Sequence, residues 1–146
     1  MEKEVKRLLE SKLEKIEDLY KYTQDISDAL EEENTEVLIT VLSSRQRLME
    51  DIDSIDSRLL SFFNGNFDEL TNVINSSHKL KEIYNDITVS LKKIRELDDK
   101  NMKVTQELFS KLKEDISKLK QAENALKGYG IIGTSSRDGA FIDTKK

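Results

Sequence analysis

The chain has 146 residues, 36% of them charged and 36% hydrophobic, with no proline, cysteine or tryptophan and a formal charge of −5. That length sets an expectation of one domain, and the charge content excludes a thick globular core while suiting long amphipathic helices with a narrow apolar stripe. An acidic chain also excludes nucleic acid as the main partner, because phosphate binding needs a basic face.

Charges of both signs alternate along the sequence, which argues against disorder. No run approaches ~18 uninterrupted apolar residues, so no membrane span is expected. Met1-Glu2-Lys3-Glu4 lacks the apolar run of a signal peptide. These points place the protein in the cytoplasm, without stable membrane insertion. The first 127 residues contain one glycine, Gly65, while Gly128, Gly130, Gly133 and Gly139 crowd the end. The expectation is a helical body over 1–127 and a flexible, partly apolar docking tail over 128–146.

Helix 1 is predicted over 2–31. Leu9, Leu13, Ile16, Tyr20, Thr23, Ile26 and Leu30 recur at steps of three or four and form one stripe. Glu31-Glu32-Glu33 opposes the negative C-terminal end of a continuing helix, and Asn34 or Thr35 can cap a new one. A tight turn at 33–35 follows.

Helix 2 is predicted over 36–63, with a stripe of Leu38, Val41, Arg45, Leu48, Ile52, Ile55, Leu59 and Phe62. Asn64-Gly65-Asn66 ends it, with Asn64 or Gly65 in the left-handed position. Asn66 and Glu69 have capping-box spacing.

Helix 3 is predicted from 67 or 77 to 127. Its stripe runs through Leu80, Ile83, Ile87, Leu91, Ile94, Leu97, Asn101, Val104, Leu108, Leu112, Ile116, Leu119, Ala122 and Leu126. Steps of four at Leu108, Leu112 and Ile116 make a stutter. Ser76-Ser77 leaves open a separate short helix over 67–75. The fold class is therefore all-α: an antiparallel three-helix coiled-coil bundle with a long third helix and a flexible C-terminal tail.

At 1.5 Å rise per residue, helices 1 and 2 are roughly 45 Å long and helix 3 roughly 75 Å. Such a bundle cannot cover the second half of helix 3. Either that helix breaks near Asp98-Asp99 and folds back, or its distal half protrudes with an apolar face exposed. Without Gly or Pro at that point, protrusion is favoured. An exposed stripe is what a helix-in-groove or coiled-coil partner needs.

No catalytic, cofactor-binding or metal-binding residues stand out. The one histidine, His78, cannot supply the paired Glu-x-x-His motifs of a di-iron bundle. Asp51, Asp53 and Asp56 lack the glycine and final glutamate of a calcium loop and are read as a solvated helix face. Arg45 and Asn101 occupy stripe positions: Arg45 as a snorkelling side chain and Asn101 as a register-setting one, or both as edges of a partner site. Tyr129 and 141–143 either pack back on the bundle or dock to a partner, where tyrosine is a good anchor.

Three segments together resemble FlgN-type flagellar export chaperones. Ala29-Leu30-Glu31-Glu32-Glu33-Asn34, then Leu38, Leu42 and Ser44-Arg45-Gln46-Arg47-Leu48-Met49-Glu50-Asp51-Ile52, is similar to the family's helix–turn–helix. Ile94-Arg95-Glu96-Leu97-Asp98-Asp99-Lys100-Asn101 resembles its long-helix segment, and 127–129 with 141–146 resemble the tail of Gram-positive members. Family members often carry Gly at the first turn, where this chain has Glu33-Asn34; Asn tolerates the left-handed conformation.

The resemblance implies a cytoplasmic, non-enzymatic chaperone of type III flagellar export. It would bind helical terminal segments of hook–filament junction proteins, prevent their premature assembly and bring them to the cytoplasmic domain of the export gate. Val104, Leu108, Leu112, Ile116, Leu119 and Leu126 are then the client-binding residues, and Tyr129 matches the family's gate-docking tyrosine. A monomer is favoured over a homodimer. The rival readings are a FliT-like filament-cap chaperone and a self-associating coiled-coil scaffold.

Overall fold

The computed structural model describes residues 1–128, and every regular element among them is a helix: α1 (Glu2–Glu31), α2 (Thr35–Ser61), α3 (Phe67–Ser76) and α4 (His78–Gly128). The ends of α1 and α2 follow the predicted helices 1 and 2 closely. Residues 67–127, predicted as one or two helices, are two, α3 and α4. Ser77 sits between them in extended backbone, and its hydroxyl accepts from the Leu80 N–H at 3.3 Å, capping α4. α4 is unbroken through Asp98 and Asp99.

The turn from α1 to α2 is a Schellman motif. The Glu33 N–H donates to the Leu30 carbonyl and the Asn34 N–H to that of Ala29. Asn34 was expected to absorb any left-handed strain, but Glu33 does so, with φ +52°. The reason is that Asn34 is needed elsewhere. It is extended, and its side chain accepts from the Val37 N–H to cap α2. Holding a β-carbon in the left-handed region costs about 1–2 kcal/mol, which the two backbone bonds and the cap offset.

The second turn repeats the device with better residues. Asn64 (φ +53°) and Gly65 (φ +81°) are both left-handed, and the Gly65 N–H closes onto the Leu60 carbonyl at 2.9 Å. Asn66 then caps α3 by accepting from the N–H groups of Asp68 and Glu69. The capping box is only half formed, because the Asn66 N–H already donates to the Phe63 carbonyl.

The chain divides into two units, Met1–Val104 and Thr105–Lys146. In the first, one apolar cluster joins all four helices, with Val5, Leu8, Ile16 and Leu80 the most deeply buried of its members. The buried face of α1 is wider than the predicted stripe: Val5, Leu8, Leu19 and Ala29 join it, whereas Leu13 and Tyr20 are half-buried. A seam has width, and α1 faces more than one neighbour.

On α2 the order at the end is reversed. Phe63 is buried and Phe62 exposed, because the turn begins at Phe62 and the helical step no longer applies. Only the second half of α2 contributes fully buried residues, Ile52, Ile55 and Leu59. Its first half leaves Val37, Ile39 and Leu42 exposed.

Three polar links tie the helices of this unit. Lys12 of α1 meets Asp56 of α2 at 2.6 Å, and Arg45 of α2 meets Asp98 of α4 at 2.6 Å. Asn101 of α4 reaches Thr23 and Ser27 of α1. Near the N-terminus, the guanidinium of Arg7 hydrogen-bonds Glu4 and holds its carboxyl below the usual carboxylate range.

Candidate functional site

Residues 105–128 of the second unit are one continuous stretch of α4, and none of them is buried. The segment has no proline and one terminal glycine, and the exposed pairs Glu114–Lys118 and Glu123–Lys127 add a little support along the helix. Its large apolar side chains are nonetheless on the surface. Leu119 is 70% exposed, Phe109 60%, Leu112 56%, Ile116 55% and Leu126 42%; Leu108 is half-buried.

Of the candidate client-binding residues, Leu108, Leu112, Ile116, Leu119 and Leu126 all belong to this segment. Val104, also exposed, is the last residue of the first unit. Sequence reasoning missed Phe109. It lies one position off the stripe of steps of four, yet in a helix it borders Leu112 and Ile116, three and seven residues on. The Lys113 ammonium sits 5.4 Å from its ring centroid, a cation–π contact along the helix surface. Tyr129 and the rest of the predicted docking tail lie outside the described residues.

A heptad register organises the segment. Leu112, Leu119 and Leu126 fall seven apart at one core position, and Leu108, Asp115 and Ala122 fall seven apart at the other. Phe109 and Ile116, seven apart, widen the face on one side; the next residue in that row, Glu123, pairs with Lys127. The stutter at 108–112–116 is the point at which the seam spreads from two apolar rows to three.

The two polar residues that interrupt the stripe of the first unit are both engaged. Asn101, almost fully buried, accepts from the Ser27 hydroxyl at 2.7 Å and donates to the Thr23 carbonyl at 3.3 Å. That carbonyl belongs to a turn in which the Thr23 hydroxyl donates to the Leu19 carbonyl at 2.8 Å. Arg45, half-buried, pairs with Asp98 through Nη2, but its Nε is buried without a hydrogen-bond partner.

A second apolar depression, of about 310 Å³, opens in the first unit. Leu9, Leu59, Leu70 and Ile74 line it, and Phe67 and Tyr84 reach it from largely exposed positions. No periodicity marks it, since Phe67 opens a short helix and Tyr84 lies off the stripe of α4.

The remaining candidates are scattered. His78 is almost fully exposed, 4.0 Å from Glu82. Asp51 and Asp53 are exposed, and Asp56 serves the pair with Lys12. Among the described residues no group of three or more His, Cys, Asp or Glu side chains is placed to hold a metal ion. No helix among them is long and apolar enough to cross a membrane. What the described residues offer is surface: an apolar helical seam that none of them covers.

No curated protein and no solved structure matches the chain at a significant level. A family model described as FlgN protein does, over residues 1–137. That match takes in all four helices and the whole apolar seam, so the chain belongs to the FlgN family, a family of flagellar export chaperones that bind hook-associated proteins and are not known as enzymes.

Proposed function

We infer that this protein is a cytoplasmic chaperone of type III flagellar export, which binds the helical terminal segments of hook–filament junction proteins, prevents their premature assembly and delivers them to the export gate. The observation that carries the reading is the seam over 108–126, on which five large apolar side chains stand exposed along one helical face. Monomeric soluble proteins rarely leave a contiguous apolar surface of this kind without a use for it. A client helix laid along it supplies the contacts that its neighbours in the filament later replace.

The first unit is the scaffold in this reading. Lys12 pairs with Asp56, Arg45 with Asp98 and Ser27 with Asn101. Those partners fit α1, α2 and the first half of α4 running alternately up and down, as an antiparallel three-helix bundle. Tyr129, directly after α4, is the proposed contact to the cytoplasmic domain of the gate.

Ile116→Ala combined with Leu119→Ala tests the seam. Calorimetric titration with a junction protein should show affinity lower by about tenfold or more, since each truncation removes on the order of 1 kcal/mol of apolar contact. Far-ultraviolet circular dichroism should stay unchanged. Loss of helicity in the double variant would mean that these residues are core, and the seam reading would fail. Tyr129→Ala should leave client binding intact and weaken gate docking; undiminished motility would remove that role. A FliT-like filament-cap chaperone would instead prefer the cap protein in the same titration, and a scaffold would show mass rising with concentration in light scattering.

A further inference from the structure

We propose that the seam over 108–126 selects, by charge, an amphipathic partner helix whose apolar face is bordered by acidic residues and carries a cationic side chain within it; the proposal rests on the docking role assigned above to that seam. The apolar face of this segment is fenced by lysine. Lys111 and Lys118, seven residues apart, border one side; Lys113, Lys120 and Lys127, at the same spacing, border the other. No acidic residue occupies either row. Glu114 pairs with Lys118 and Glu123 with Lys127 along the helix, and Lys113 lies over Phe109; Lys111 and Lys120 have no such partner among the described residues.

Within the face the sign inverts. Asp115 holds a core position of the heptad between Leu112 and Leu119, and it forms no ion pair or hydrogen bond among the described residues. A docking helix that covers Leu112 and Leu119 must therefore pass over a carboxylate, which is costly unless a cation or donor meets it. Lysine rows outside and a carboxylate inside define the complement: acids outside and a cation inside.

The segment stands apart from its own chain in charge. Residues 105–128 carry five lysines against four acids, whereas 1–104 carry sixteen basic residues against twenty-three acids. A second copy is a poor cover for the same reason. Antiparallel pairing sets the Lys111 and Lys118 row against itself, and parallel pairing sets Asp115 against Asp115 of the twin. Both arrangements place like charges together at the seam, so a partner with the opposite pattern is preferred.

The experiment uses the full chain and two labelled synthetic helices of about three heptads. Both carry leucine at the core positions and one arginine in place of a core leucine; one is flanked by glutamate and the other by lysine. Fluorescence anisotropy at about 50 mM salt should show the glutamate-flanked peptide binding about tenfold more tightly, an advantage that shrinks at about 0.5 M salt. The variant K111E/K113E/K118E/K120E, at unchanged helicity, should invert the preference. Equal binding of both peptides, with both weakened by Ile116→Ala and Leu119→Ala, would overturn charge selection while leaving the seam as a docking surface. Binding of neither would overturn the docking reading as well. Sedimentation as a dimer that the glutamate-flanked peptide does not dissociate would assign the seam to a second copy and overturn the proposal.

Discussion

Residues 78–104 and 105–128 belong to one unbroken helix and share one kind of pattern, yet they live in different environments. In the first stretch Leu80, Ile83, Ile87, Ile94 and Asn101 are buried. In the second, side chains of the same type at the same spacing are on the surface. Apolar periodicity therefore dictates that a face exists and which residues share it, and says nothing about what covers it. The polar interruptions separate the two stretches more sharply. Asn101 and Asp98 find partners on α1 and α2, whereas Asp115 finds none among the described residues. The packed stripe answers its polar groups within the chain; the exposed stretch leaves Asp115 unanswered among the described residues.

The widest gap between the two stretches should appear in stability. Leu80 is 1% exposed, at the centre of the apolar cluster. Leu80→Ala should cost about 2–5 kcal/mol in urea unfolding, through lost burial and the cavity left behind. Leu119→Ala, on the same helix, should change the unfolding free energy by no more than about 0.5 kcal/mol. Similar costs at the two positions would break the comparison, since the distal stripe would then be part of the fold.

Asn101 tests the same boundary through hydrogen bonds. Its amide is the last polar link between α4 and α1 before the second unit begins. Asn101→Ala removes the closer acceptor of the Ser27 hydroxyl, which keeps only the Thr23 carbonyl at 3.4 Å, and takes one donor from that carbonyl, at a cost of about 1–3 kcal/mol. Amide exchange should quicken around residues 94–104 and stay as it was at 112–128. The conservative Asn101→Gln keeps the chemistry but not the reach, and should recover only part of the loss.

Much of this fold was legible in the sequence, because its determinants are local. Both bounds of α1, the cap at Asn34, the left-handed pair Asn64–Gly65 and the cap at Ser77 are each set by a few adjacent residues. The errors have separate physical sources. Glu33 rather than Asn34 took the left-handed position because one side chain cannot both cap the next helix and sit at the Schellman turn. Phe63 replaced Phe62 because the helix had already ended. The extra buried residues of α1 reflect a second neighbour, which a single-helix stripe does not contain. The candidate seam was legible as a stripe, but Phe109 and the lysine rows become part of it only once α4 is known to be continuous and exposed there.

The smallest effect concerns Arg45, and it sharpens what an internally answered polar group is worth. The Arg45–Asp98 pair is short at 2.6 Å but one-sided: Nη2 is bonded, while Nε is buried without a partner. The desolvation of that nitrogen offsets much of what the ion pair contributes. Arg45→Met keeps the apolar stem, removes the orphaned donor and frees Asp98, which is more than a third exposed, to be hydrated. Its stability should lie within about 0.5 kcal/mol of the parent protein. Asp98→Asn should cost more, about 1 kcal/mol, because the guanidinium stays half-buried with its charge unmatched. Urea midpoints in that order would show that Arg45 sits in the stripe through its stem. The reverse order would make the ion pair itself the bond between α2 and α4, and Arg45 would then count with Asn101 among the groups that hold the first unit together.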